Sequence, residues 1–271
     1  MNNNERRNRE GLESRKRPKS ALSESSLHDL MKAKFYGEFE LTDAIRPAPE
    51  SDIQPVQGYR HEVYVDQETQ AKVPMVMASV GAKAIFPLFL DLIRRLGPVV
   101  DVVLESSHEG NSGEHVDMYR ESIDMPVLVS ILMEFEDLLV NDGCTGIAVL
   151  NPKTPQEIQF EEHKLLIVYG SPLEPFEFLL ESHGVPENQK MKLITEGEHV
   201  HSSTESYFKR FQQLRVELGL DGNPDQKQAE FETGGAQLYE ENFSDSDDQA
   251  YGDLGEGWRD SYGDEDGGLL G

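Results

Sequence analysis

The chain has 271 residues, with 51 acidic against 25 basic side chains and a formal net charge of −26. That excess excludes a general nucleic-acid surface on the folded part, because neutralising phosphates needs Lys and Arg. It also repels an anionic membrane. The single cysteine, Cys144, excludes an intrachain disulfide and fits a reducing compartment.

The charge is unevenly spread. Residues 1–20 hold seven bases and three acids, whereas 221–271 hold fifteen acids and two bases. Residues 1–25 are polar with almost nothing to bury and read as a disordered basic tail. The Arg15-Lys16-Arg17-Pro18-Lys19 cluster is short and reads as solvated tail. Residues 26–58 form a partly ordered lead-in. Phe39, Leu41 and Ile45 suit a short strand there, broken by Pro47, Pro49 and Pro55.

Residues 59–220 read as a single α+β domain with a mixed or mainly antiparallel sheet. Val63 and Val65 alternate with polar or aromatic neighbours, a polar turn follows at 67–70, and Val73 to Ala78 is apolar. That pattern predicts a β-hairpin. Pro74 predicts that the second strand is locally an edge. Ile85, Phe86, Phe89, Leu92, Ile93 and Leu96 then follow helical spacing, and Gly97 stops them. Val99–Leu104 has strand length. Asp124 opens a second helix with Pro126 in its first turn, and its apolar stripe runs from Leu128 to Leu139 before Gly143.

The second half repeats this order. Gly146–Leu150 and Lys164–Tyr169 read as strands around a long loop, Asn151–His163. Ser171-Pro172-Leu173-Glu174 and Ser202-Ser203-Thr204-Glu205 have the capping-box pattern of a helix start. Met191–Thr195 reads as a strand. Phe208, Phe211, Leu214 and Leu218 give the last helix its stripe. Val76–Met77 and Ile167–Val168 are 91 residues apart, as are Val102–Val103 and Leu193–Ile194. Two halves, 59–143 and 144–220, related by duplication would explain that spacing.

Residues 221–271 read as a disordered acidic tail with interspersed aromatics: Phe231, Tyr239, Phe243, Tyr251, Trp258 and Tyr262. Acidic-aromatic segments of this kind stay disordered until a partner, here one with a basic surface, orders them. No apolar run approaches the roughly 18 residues of a membrane span. The first twenty residues lack the apolar segment of a secretory leader. A cytoplasmic protein is expected.

Two functional expectations follow. The first is a non-enzymatic interaction or regulatory protein that binds a protein partner through its acidic surface and tail, with no cofactor. The second is a metal-binding protein or metal-dependent enzyme built on two Glu-x-x-His segments, Glu105 to His108 and Glu196 to His199, again 91 residues apart. His201 lies two residues beyond His199, so on an extended chain both face one side. Imidazole with carboxylate suits a divalent metal such as zinc, manganese or iron. Against this set, i and i+3 point oppositely along a strand, so a turn is needed to join each pair. No nucleophile elbow and no phosphate loop is present, and no reaction is indicated.

Overall fold

The structure, a computed structural model, describes residue 32 and residues 34–66, 69–108 and 116–220. Both terminal tails, with the six aromatic residues proposed for partner binding, lie outside the described residues.

Seven strands form the main sheet. In chain order these strands and their helices are β4 (Gly58–Val65), β5 (Lys72–Ser79), α1 (Ala82–Ile93), β6 (Val99–Ser106), β7 (Val116–Asp124), α2 (Met125–Glu134), α3 (Glu136–Asn141), β8 (Thr145–Leu150), β9 (Glu157–Phe160), β10 (Leu165–Tyr169) and α4 (Glu174–Ser182). They are preceded by β1 (Phe35–Tyr36), β2 (Phe39–Glu40) and β3 (Ile45–Pro47), and followed by β11 (His199–His201) and α5 (Glu205–Glu217). The sheet order is β4-β5-β10-β9-β8-β6-β7, antiparallel at every step. The fold is therefore α+β with a large antiparallel sheet.

Strand alternation sorts the two faces. Val76, Val102, Leu104, Val149, Phe160 and Val168 point one way, into a single apolar core shared with residues of all five helices. Leu165 and Ile167 point the other way, against Met191 and Leu193. Toward the β7 edge that second face becomes acidic. Asp117, Glu105 and Gly146 stand in one lateral row across β7, β6 and β8.

Several expectations meet the structure. The hairpin is β4–β5, paired from Gly58↔Ser79 to Val65↔Lys72. Helices α1, α2 with α3, and α5 lie where the apolar stripes put them. Strand β5 is interior to the sheet as a whole, but at Pro74 it is locally an edge, as its proline requires. Proline is tolerated there because β10 is last paired at Tyr169↔Met75, so the missing N–H falls beyond its end. The long loop Asn151–His163 contains β9, and β7 was not anticipated. The strand expected over Met191–Thr195 is extended chain running into a 3-10 turn at Ile194–Glu196. The pairing of halves needed a strand at that position to match the one at Val102–Val103. Among the described residues, no helix is long and apolar enough to cross a membrane.

Beside the main sheet, β11 and β3 form a two-stranded ribbon, with His199↔Pro47, Val200↔Arg46 and His201↔Ile45. Backbone bonds extend it at both ends: Ala48 N–H donates to Glu198 O and Ser202 N–H to Ala44 O. Gly143 N–H in turn donates to Ser202 O, tying the α3–β8 loop to the ribbon. A Cβ on Gly143 would lie 2.5 Å from Ala44 O and 2.9 Å from Ser202 O, so only glycine allows this approach.

Candidate metal centre

His199 and His201 alternate along β11 with Val200 between them, so their imidazoles share one face of the ribbon. The third imidazole comes from His163 in the β9–β10 turn. Lys164 N–H donates to Glu161 O there, and Lys164 closes the turn at φ +61°. A left-handed lysine is uncommon. Here its side chain is buried, with Nζ donating to Thr145 O at 2.8 Å and lying 5.3 Å from the Phe160 ring centroid. Burial lowers that ammonium to a pKa of about 8 despite nearby Asp142, Glu161 and Glu162.

The three rings pack at centroid separations of 4.9 Å (His163–His199), 4.7 Å (His163–His201) and 5.2 Å (His199–His201). One ring nitrogen from each lies within 4.8 Å of the others. Each Nδ1 already has an acceptor. His199 Nδ1 is 2.7 Å from Gly197 O, His201 Nδ1 is 2.6 Å from Gly143 O, and His163 Nδ1 is bonded to the Glu161 carboxylate. A carbonyl accepts only from N–H, which puts a proton on Nδ1 of His199 and of His201, so that in the neutral ring the lone pair is on Nε2. A ligating histidine is usually held in this way, with the far nitrogen oriented by a carbonyl or carboxylate.

The electrostatics differ from ring to ring. Burial opposes the charged form of His163, but Glu161 and then Glu162 outweigh it and hold its pKa above the usual value. Burial pushes His201 down, and neighbouring His163 and His199 push the same way against its bond to Gly143.

The two Glu-x-x-His segments do not form one site. His108 lies in a second cluster, within 4.8 Å of Asp142 and Cys144 in donor-atom terms. Its Nε2 is 2.8 Å from Asp142 Oδ2, and its ring packs at a tilt against Phe208 and Phe211, each with centroids 5.3 Å away. Glu196 is occupied elsewhere: its Oε2 accepts from Arg60 Nη1 at 2.9 Å and from Leu193 N–H. Glu105 sits in the acidic lateral row, where burial first and then Asp117, Glu157, Glu161 and Glu162 raise its pKa to about 7. Among the described residues, neither glutamate belongs to a group of three His, Cys, Asp or Glu donors close enough to share one ion. Period two along a strand brings His199 and His201 together in the sequence, and His163 joins them only in the structure. No local motif marks His163, which arrives from a turn between two strands.

No family model matches the chain, and no match was found among curated proteins or solved structures.

Proposed function

We propose that the protein binds a divalent metal ion through His163, His199 and His201. The observation that carries this is the arrangement of the Nδ1 nitrogens. All three are engaged by acceptors, two of them backbone carbonyls, and one nitrogen of each ring lies within 4.8 Å of the others. Three neutral imidazoles suit zinc and its neighbours in the first transition row. Structural zinc sites usually close with four protein ligands, whereas three leave a position for water or substrate. The donor set therefore favours an exchangeable, open centre over a purely structural one. Metal in such a centre lowers the pKa of bound water and polarises carbonyl or phosphoryl oxygens.

Elemental analysis of the full chain after zinc loading and dialysis tests this reading. Zinc retained by wild type should fall by one equivalent in a His199→Ala, His201→Ala double variant and in His163→Ala. Unchanged zinc in both variants would overturn it.

A further inference from the structure

The second cluster, built from His108, Asp142 and Cys144, takes no part in the three-imidazole centre. Asp142 is the C-cap of α3, Cys144 directly precedes β8, and His108 follows the end of β6. The α3–β8 loop is held at Gly143 by the ribbon, so the place of its flanking side chains is fixed by backbone contacts. The Asp142 side chain is fully buried, and its two oxygens are unequally served. Oδ2 takes both the His108 contact at 2.8 Å and the Thr145 hydroxyl at 2.5 Å. Oδ1 has no hydrogen-bond partner in good geometry, while the Ser203 hydroxyl lies near enough to join His108 and Thr145 in holding the carboxyl below its usual pKa against burial. A buried carboxylate oxygen without a donor is destabilising, and a cation bound to it would satisfy it.

We infer that His108, Asp142 and Cys144 form a second metal site, for a borderline cation of the zinc class, distinct from the three-imidazole centre. One imidazole, one carboxylate and one thiol supply nitrogen, oxygen and sulfur donors, and the thiol selects against magnesium and calcium. The surrounding charge favours a cation, since Asp142, Glu161 and Glu162 outnumber the single ammonium of Lys164. Cys144 is half-buried, unlike Asp142, and offers the ion an approach from outside. Burial first, with Asp142 and Glu162, raises the thiol's pKa, so the free thiol is protonated. On binding, the Sγ–H bond breaks, the proton passes to solvent, and the sulfur pair forms the bond to the metal. The ion also takes the place of the direct His108–Asp142 contact.

The two sites meet at one peptide. Gly143, between Asp142 and Cys144, gives its carbonyl to His201 Nδ1. Ser107, next to His108, donates its hydroxyl to Glu162 Oε2 at 2.8 Å, and Glu162 precedes His163.

Cobalt(II) titration of the metal-free full chain separates the sites, because only a thiolate ligand gives the near-ultraviolet sulfur-to-cobalt charge-transfer band. The chain has one cysteine, so the band reports Cys144 alone. Wild type should bind two equivalents and show the band. Cys144→Ser should lose the band and one equivalent, and the retained equivalent shows that it folds. His163→Ala should keep the band and lose the other equivalent. Two equivalents in Cys144→Ser, or wild-type binding without the band, would overturn the inference while leaving the three-imidazole reading standing. A band with only one equivalent in wild type, unchanged by His163→Ala, would sink that earlier reading and leave this one. Absence of cobalt binding overturns both.

Discussion

Around His163 the rings are partly open, with the His163 side chain 22% exposed, and each Nδ1 is engaged by an acceptor. Around His108 the ring is 5% exposed, wedged against Phe208 and Phe211, with Nε2 committed to Asp142. The two clusters share the Gly143 peptide and the same residue type, yet differ in what a cation must displace. In the first, each ring is oriented by a hydrogen bond at Nδ1 and none of the three contacts joins one cluster member to another. The second is closed by its own ion-pair contact and must open it. Proximity of histidines is thus a weak criterion for a metal centre, and the partner of the remaining ring nitrogen is the stronger one.

The largest expected effect falls on the packed cluster. Phe211 is buried against the core as well as against His108. Phe211→Ala should cost about 3–5 kcal/mol in denaturant unfolding. If the clusters are as different as described, the surviving folded protein keeps its three-imidazole equivalent. A cost below about 1 kcal/mol would mean that the ring is not a core residue.

Glu105 lies outside both clusters and tests whether the acidic face acts on the fold without touching the metal. Its carboxyl is lifted from an ordinary 4.5 to about 7, chiefly by burial. Below about pH 4.5 it is protonated in folded and unfolded chains alike, and its contribution to stability is fully present. As pH rises toward 7 the unfolded chain releases its proton first, and stability falls by roughly 3 kcal/mol. Glu105→Gln should flatten that fall in the metal-free protein and leave the cobalt stoichiometry unchanged. A wild-type stability that rises from pH 4.5 to 7 in step with the Gln variant would refute the buried-acid assignment.

How much of this was legible follows from where each signal resides. The helical stripes and the β4–β5 hairpin are local patterns, and the structure keeps them. The same-face geometry of His199 and His201 follows from period two alone. Strand β7 was missed because Asp117, Tyr119, Arg120 and Glu121 mask it, and only Met118 and Ile123 are buried. Strand β9 is four residues inside a polar stretch. His163, Asp142 and Cys144 join their clusters through contacts between strands and loops distant in sequence, and spacing in one chain does not encode those. The expected Glu-x-x-His geometry failed for a related reason. Glu105 remains on β6, facing the acidic row, while His108 lies beyond the end of the strand and pairs with Asp142.

Removing one oriented contact separates the clusters more finely. Glu161 holds His163 Nδ1 through one carboxylate oxygen, and the other accepts from Leu165 N–H at 3.3 Å. Glu161→Gln keeps a single acceptor oxygen and loses the charge. Affinity at the three-imidazole centre should drop about 10–100-fold, the usual effect of losing such a partner. The Cys144 charge-transfer band should persist. Equal losses at both sites would mean that the variant had disturbed the shared turn instead of one ring.

The smallest effect concerns the helix that closes the packed cluster. The Ser-x-x-Glu pattern puts the start of α5 at Ser202. In the structure Thr204 is the N-cap, extended at φ −136°, and its hydroxyl accepts from Tyr207 N–H at 3.2 Å. The Ser202 backbone is instead occupied with Ala44 and Gly143 at the ribbon's end. Its role is therefore to hold the loop between the clusters, through main-chain groups that a side-chain change leaves intact. Thr204→Ala should cost about 1 kcal/mol, because one first-turn N–H loses its acceptor. Ser202→Ala should change stability by no more than about 0.5 kcal/mol. Fraying at Thr204 would loosen Phe208 and Phe211 around His108 without reaching His163, whose turn belongs to the sheet. Hydrogen exchange should then show faster amide exchange in the first turn of α5 and unchanged exchange in β9 and β10. A larger cost for Ser202→Ala than for Thr204→Ala would restore the capping box read from the sequence and move the start of α5 two residues earlier.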